Sequence, residues 1–180
     1  MSQNKSKEWL LSKQGFVDCF GCAPHNTKGL KVQIWYTKNG CISYHRIPKE
    51  YCGFKGITHG GIVATLLDEV AAWTIITHLF RVGITVQATI RYLKPVRTEV
   101  DIEIEGEILE NVKENTVVLT RIRSKKGTIL AEAESKWLLP DSITLQKITG
   151  INAQDIDRLV EETINPLRNI RREFNKTLGK

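Results

Sequence analysis

Four stretches in the second half of the chain alternate apolar with polar side chains, at residues 84–92, 99–110, 116–124 and 129–138. A period of two predicts strands with one buried and one wetter face, as along Val100, Ile102, Ile104, Gly106 and Ile108. Turn residues join them, in Pro95-Val96-Arg97, the polar run 111–115 and Lys126-Gly127, so the four read as an antiparallel meander. Similar alternation on either side of Lys38-Asn39-Gly40, over 30–36 and 41–47, predicts a hairpin. Between hairpin and meander the period changes. Residues 62–79 are rich in Ala, Leu and Val and lack Gly and Pro, which predicts a helix of about five turns. The order of hairpin, helix and meander predicts an α+β domain in which one curled antiparallel sheet wraps a single long central helix.

The flanks read differently. Trp9, Leu10 and Leu11 sit among charged residues and predict a short amphipathic helix over 5–14, followed by a loop over 15–28 that holds Gly21, Pro24 and Asn26. After Pro140 the pattern turns helical again and is interrupted near Pro166. The chain therefore divides into a main domain over 1–140 and a C-terminal helical extension over 141–180, within the size of one core plus an appendage.

Composition narrows the function classes. The 180 residues are 41% hydrophobic, and the polar N-terminus carries no apolar run of signal or membrane-span length, so a soluble cytoplasmic protein without a membrane partner is expected. The net charge of +6 has no Lys/Arg block interleaved with aromatic residues, which argues against a nucleic-acid partner and leaves room for a phosphate-bearing ligand. Cys19, Cys22, Cys41 and Cys52 are read as reduced thiols. Cys19-x-x-Cys22 followed by His25 raises the idea of zinc, with Cys41, His45 or Cys52 as a further ligand. No second such pair exists, so packed thiols are favoured and no metal is expected.

Advancing 100 degrees per residue puts Ile62, Val63, Leu66, Leu67, Val70, Trp73 and Thr74 in one sector of the helix, which is expected to pack on the sheet. The other sector holds Ala64, Thr65, Asp68, Ala71, Ala72 and Ile75, with Glu69 at its edge. A solvated face would carry more Lys, Glu or Arg. One acid on a floor of small residues reads instead as a buried functional face. Gly60 and Gly61 precede the helix, where free N–H groups and the positive end of the macrodipole favour a developing oxyanion.

His59-Gly60-Gly61 with Asp68 nine residues after the His resembles the hotdog-fold thioesterase superfamily, in its phenylacetate-pathway-type branch. The resemblance runs over about residues 15–140, from Cys19-Phe20-Gly21-Cys22 through Leu67-Asp68-Glu69 to Arg91-Tyr92-Leu93-Lys94-Pro95. It implies a hotdog fold and an acyl-CoA hydrolase that needs no cofactor. Asp68 would be nucleophile or general base, the Gly60 N–H would polarise the thioester carbonyl, and His59 would orient that end of the site. Gly61, Thr65 and Ala72 would line the substrate, with Arg91, Lys94 and Arg97 as candidates for the CoA phosphates. Some members carry a hydroxyl one turn beyond the acid, where this chain has Ala72, so that role falls to Thr65 or Thr74 or is missing. Some carry a Gln six residues before the His, where this chain has Gly53.

Gly60 and Asp68 are eight residues apart, about 12 Å along one helix, so they cannot reach the same carbonyl. Serving one substrate requires an antiparallel second copy, which predicts a homodimer with two shared sites, alone or as half of a tetramer built as a dimer of dimers. Other hotdog roles fit less well. No hydratase-like Asp-x4-His arrangement occurs, and the segment before Gly15 is too short for the DNA-binding domain of an acyl-CoA sensor. A non-catalytic acyl-CoA-binding module is the alternative.

Overall fold

The computed structural model describes residues 9–10 and 18–178. Its main sheet has seven antiparallel strands: β1 (Trp9–Leu10), β2 (Trp35–Tyr36), β3 (Gly40–Arg46), β6 (Ile84–Tyr92), β7 (Asp101–Val112), β8 (Asn115–Ser124) and β9 (Ile129–Leu138), in the order β1-β2-β3-β7-β8-β9-β6. Two further strands, β4 (Cys52–Phe54) and β5 (Ile57–Thr58), form a small ribbon that leads into the helix. Residues 9 and 10 are thus a strand paired to Tyr36 and Trp35 and not part of a helix; the rest of the helix expected over 5–14 lies outside the described residues.

The helix α1 spans Gly60–Leu79, two residues longer at its start than the apolar run predicts. His59 caps it: its Nδ1 accepts the Gly61 N–H at 3.0 Å, which satisfies one of the donors that a helix start leaves open. The expected packing face is buried except for the partly covered Ile62, with Leu66, Leu67 and Val70 at 1% exposure or less, against Ile104 and Ile122 of the sheet and the loop residues Leu30, Val32 and Ile34. Ala71 and Ile75, placed by helical angle on the functional face, are instead buried in a second cluster with Val118, Trp137 and Leu139. The sheet curls far enough to cover that flank. Ala64, Thr65, Asp68 and Ala72 are left only partly covered or exposed in the single chain.

Where the helix crosses β7 the approach is close. A Cβ at Gly106 would stand 2.5 Å from Thr74 Oγ1 and 3.1 Å from Val70 Cγ1, so only glycine fits there. The strand expected over 99–110 begins at Asp101 because Glu99 takes a left-handed φ of 59°, and its N–H is bonded to Ile47 O.

The extension comprises α2 (Ser142–Thr149), α3 (Ala153–Leu159), a π-helical turn (Val160–Ile164) and α4 (Leu167–Leu178), with the break at Asn165 and Pro166 as expected. It is not a detached appendage. Ile164, Leu167 and Phe174 join the main core, and Phe174 meets Tyr36 edge-on at 5.0 Å between ring centroids. Arg171 donates to His78 O at 3.0 Å, which supplies a cation and a donor at the C-terminal end of α1.

Candidate active site

The two ends of the motif stand in different surroundings. At the start of α1 the Gly61 N–H is taken by His59, and Ile62 and Val63 both donate to His59 O. Among the described residues nothing accepts from the Gly60 N–H. Gly60 itself lines a groove of about 310 Å³ with Ile57, Val63, Tyr92, Lys94 and Pro95. Tyr92, on β6, donates from its hydroxyl to Gly60 O at 3.1 Å and fixes the glycine's peptide against the strand. The sequence motif does not include Tyr92. Gly53 stands beside His59, 3.3 Å from its Cα to an added Cβ, and as a glycine sends no side chain toward the site.

Asp68 lies two turns further along α1, beside the same strand. Its Oδ1 accepts a 2.8 Å hydrogen bond from the Thr85 hydroxyl. Although Asp68 stays exposed in the single chain, partial desolvation by the surrounding protein raises its carboxyl above the ordinary carboxylate range, and the Thr85 hydrogen bond opposes that rise. The hydroxyl beside the acid therefore comes from β6. Thr65 donates to Gly61 O at 2.9 Å and Thr74 is buried and donates to Val70 O at 2.7 Å, so neither reaches Asp68.

The expected phosphate candidates separate. Lys94 lines the groove at Gly60, whereas Arg91 is held by Glu132 at 2.9 Å across the sheet. Arg97 is exposed on the strand-like segment that bridges to Ile57, outside the groove lining. Gly61 and Thr65 stand at the helix start and Ala72 one turn beyond Asp68 on the partly covered face.

Glu69, the next residue along α1, is partly buried and has partners other than those of Asp68. Its Oε1 accepts the indole N–H of Trp73, one turn along α1, at 3.0 Å, and its Oε2 accepts the thiol of Cys19, in the loop before β2, at 3.5 Å. Burial pushes the Glu69 carboxyl up to about 7, and a hydrogen bond with Cys22 brings the Cys19 thiol down to about 5. Cys22 is driven the other way by that same bond and by burial. A thiolate and an ionised carboxylate side by side repel, so the three groups share protons and do not all ionise together.

Residues 55–131 match the family model described as the thioesterase superfamily. A protein of Schizosaccharomyces pombe named as uncharacterized is 35% identical over 57 residues, and the chain spans 33% of that relative's length and 31% of its own. Among solved structures, a hypothetical thioesterase from Streptococcus pneumoniae TIGR4, solved with coenzyme A, is similar at a TM-score of 0.57 and 23% identity, over 61% of this chain and 85% of that one. Zebra fish thioesterase superfamily member 2 gives 0.58 and 20% over 64% and 89%. A Streptococcus mutans UA159 protein bound to acetyl CoA gives 0.57 and 20% over 61% and 88%. The chain therefore has the hotdog fold, and the segment that carries His59, Gly60, Gly61 and Asp68 is similar to the thioesterase superfamily.

Proposed function

We propose that this chain hydrolyses the thioester of acyl-coenzyme A to a free acid and CoA. The observation that carries the reading is the Gly60 N–H, left without an acceptor among the described residues at the start of α1, on a residue that lines a groove, in the segment that matches the thioesterase model. A carbonyl seated there would receive a hydrogen bond that strengthens as negative charge builds on its oxygen, reinforced by the helix end. The HGG-plus-acid spacing favours the phenylacetate-pathway-type branch. The CoA and acetyl-CoA ligands of the similar Streptococcus proteins support the substrate class.

Asp68 is the group that attacks, directly or by taking a proton from water. As general base it would accept the water proton while the hydroxide oxygen bonds to the carbonyl carbon; the tetrahedral oxyanion would then collapse, expelling the CoA thiolate, which takes up a proton. His59 would keep the helix start in register by occupying the Gly61 N–H, so that Gly60 alone is presented. Lys94, which lines the groove, would take a CoA phosphate.

Because Gly60 and Asp68 of one chain are about 12 Å apart along the helix, each site would combine Gly60 of one subunit with Asp68 of another in an antiparallel homodimer. The open outer edge of β6 supports this reading. It is nine residues long, exposes Val86 and Tyr92, and lies at the end of the sheet beside both halves of the motif. Asp68→Asn should reduce acyl-CoA hydrolysis by at least about a hundredfold while CoA binding persists. Full hydrolysis in Asp68→Asn would remove the site assignment. Wild-type protein that binds acyl-CoA yet hydrolyses none of a panel of short, long and aromatic substrates would instead be a binding module.

A further inference from the structure

We propose that Cys19, Cys22 and Glu69 form a binding site for a divalent zinc-class ion that ties the loop before β2 to the central helix. The sequence favoured packed thiols because a CxxC pair alone lacks partners; the fold brings a third donor from 50 positions away. One atom of each residue, the two Sγ and a Glu69 carboxylate oxygen, all lie within 4.8 Å of one another. Sulfur and oxygen donors at about 2.3 and 2.1 Å from a tetrahedral zinc ion stand about 3.6 Å apart. Cys19 Sγ and Glu69 Oε2 are 3.5 Å apart.

The surroundings hold these donors in place. The Trp73 indole N–H occupies Glu69 Oε1 and leaves Oε2 aimed at the sulfurs, the kind of outer partner that orients a coordinating carboxylate. The Gly21 N–H points at Cys19 Sγ at 3.3 Å, a donor that favours thiolate over thiol. Gly21 itself is buried, and any Cβ there would collide with Glu69 Oε2, so the Cys19-Phe20-Gly21-Cys22 turn closes around the carboxylate.

Charge points the same way. Glu69 is partly buried, and no Lys, Arg or His pairs with it among the described residues. Even a partly buried carboxylate without a cation is costly to ionise, and a divalent ion would supply one. Two thiolates with one carboxylate suit a borderline-soft ion better than magnesium or calcium. Each thiol would release its proton to solvent on coordination, and a fourth position would remain for water or a small ligand. Asp68, about 100 degrees around the helix, is not part of the cluster. The site therefore stands or falls apart from the hydrolase reading.

The test uses the full chain, purified under reducing conditions and stripped with a chelator. Titration with cobalt(II) should produce a near-ultraviolet thiolate-to-metal absorption that saturates at one ion per chain, and zinc should displace it. Cys19→Ser and Cys22→Ser should lose the absorption, and Glu69→Gln and Trp73→Phe should bind about tenfold or more weakly, with circular dichroism confirming that each is folded. Cys52→Ser, at an exposed thiol, should bind as wild type. Reduced wild-type protein that shows no absorption and retains no zinc overturns the proposal, and needs no variant to do so. So does an absorption that survives in Cys19→Ser, or isolation of a Cys19–Cys22 disulfide form that binds no metal after reduction.

Discussion

Replacing Thr85 with valine removes one hydroxyl and keeps a β-branched side chain suited to β6, so the perturbation falls on the 2.8 Å bond to Asp68 and little else. That bond favours the ionised carboxyl, against the desolvation that raises its pKa. Hydrogen bonds to charged groups contribute about 1.5–3 kcal/mol when well shielded, and because Asp68 is exposed in the single chain about 1 kcal/mol is the appropriate figure. Without the bond the ionised form is harder to reach, and the acid limb of kcat/KM moves to higher pH. If Asp68 must be ionised to attack, hydrolysis on that limb falls about fivefold. On the high-pH plateau, where Asp68 is ionised in either case, the variant should keep most of its activity. The assay is kcat/KM against pH for one acyl-CoA, read by chromogenic detection of released CoA thiol, for wild type, Thr85→Val and Thr85→Ser. Serine restores the donor and should restore the limb. A Thr85→Val loss that is equal at every pH, or a Thr85→Ser as impaired as valine, would refute the reasoning.

Mixing Asp68→Asn subunits with subunits altered at Gly60 should recover about a quarter to half of wild-type activity if sites are shared between subunits; no recovery by any mixture would count against sharing. Gly106→Ala forces a methyl into Thr74 and Val70, and overpacking of about 1–3 kcal/mol should lower the thermal midpoint by about 3–10 °C, measured by calorimetry. Phe174→Ala should cost about 3–5 kcal/mol in urea denaturation and still unfold in one transition, since α4 shares the main core; a separate early transition would show the extension to be independent.

Alternation located the long strands because a half-buried sheet imposes it. The strands at 84–92 and 129–138 have the predicted bounds. It reads burial and not pairing, however. Leu30, Val32 and Ile34 are buried as alternation requires, yet only Trp35–Tyr36 of that stretch joins the ladder. Helical angle put Asp68 on a face expected to be buried, whereas the single chain leaves it exposed, and it could not show that the curled sheet would cover Ala71 and Ile75. The motif contained His59, Gly60 and Asp68, while the groups that hold them, Thr85 and Tyr92, come from β6 at separations of 17 and 32 residues. No local spacing records such contacts. Glu69 shows the same limit: its thiol partner Cys19 is adjacent in the fold and 50 residues away in the chain, and the only signal that marked it was an unpaired CxxC.

The glycine at 106 also decides where room for a ligand can exist. On the side of α1 that crosses β7 the gap cannot admit one methyl group, so no chain of any length can thread between helix and sheet there. Space along the helix remains on the flank of Ala64, Thr65, Asp68 and Ala72, where cover in the single chain is incomplete. Enlarging a pocket by trimming Val70 or Thr74 would loosen the core without opening a passage. A change of ligand size has to be engineered from the outer flank, where the wall is thin or supplied by something other than this chain.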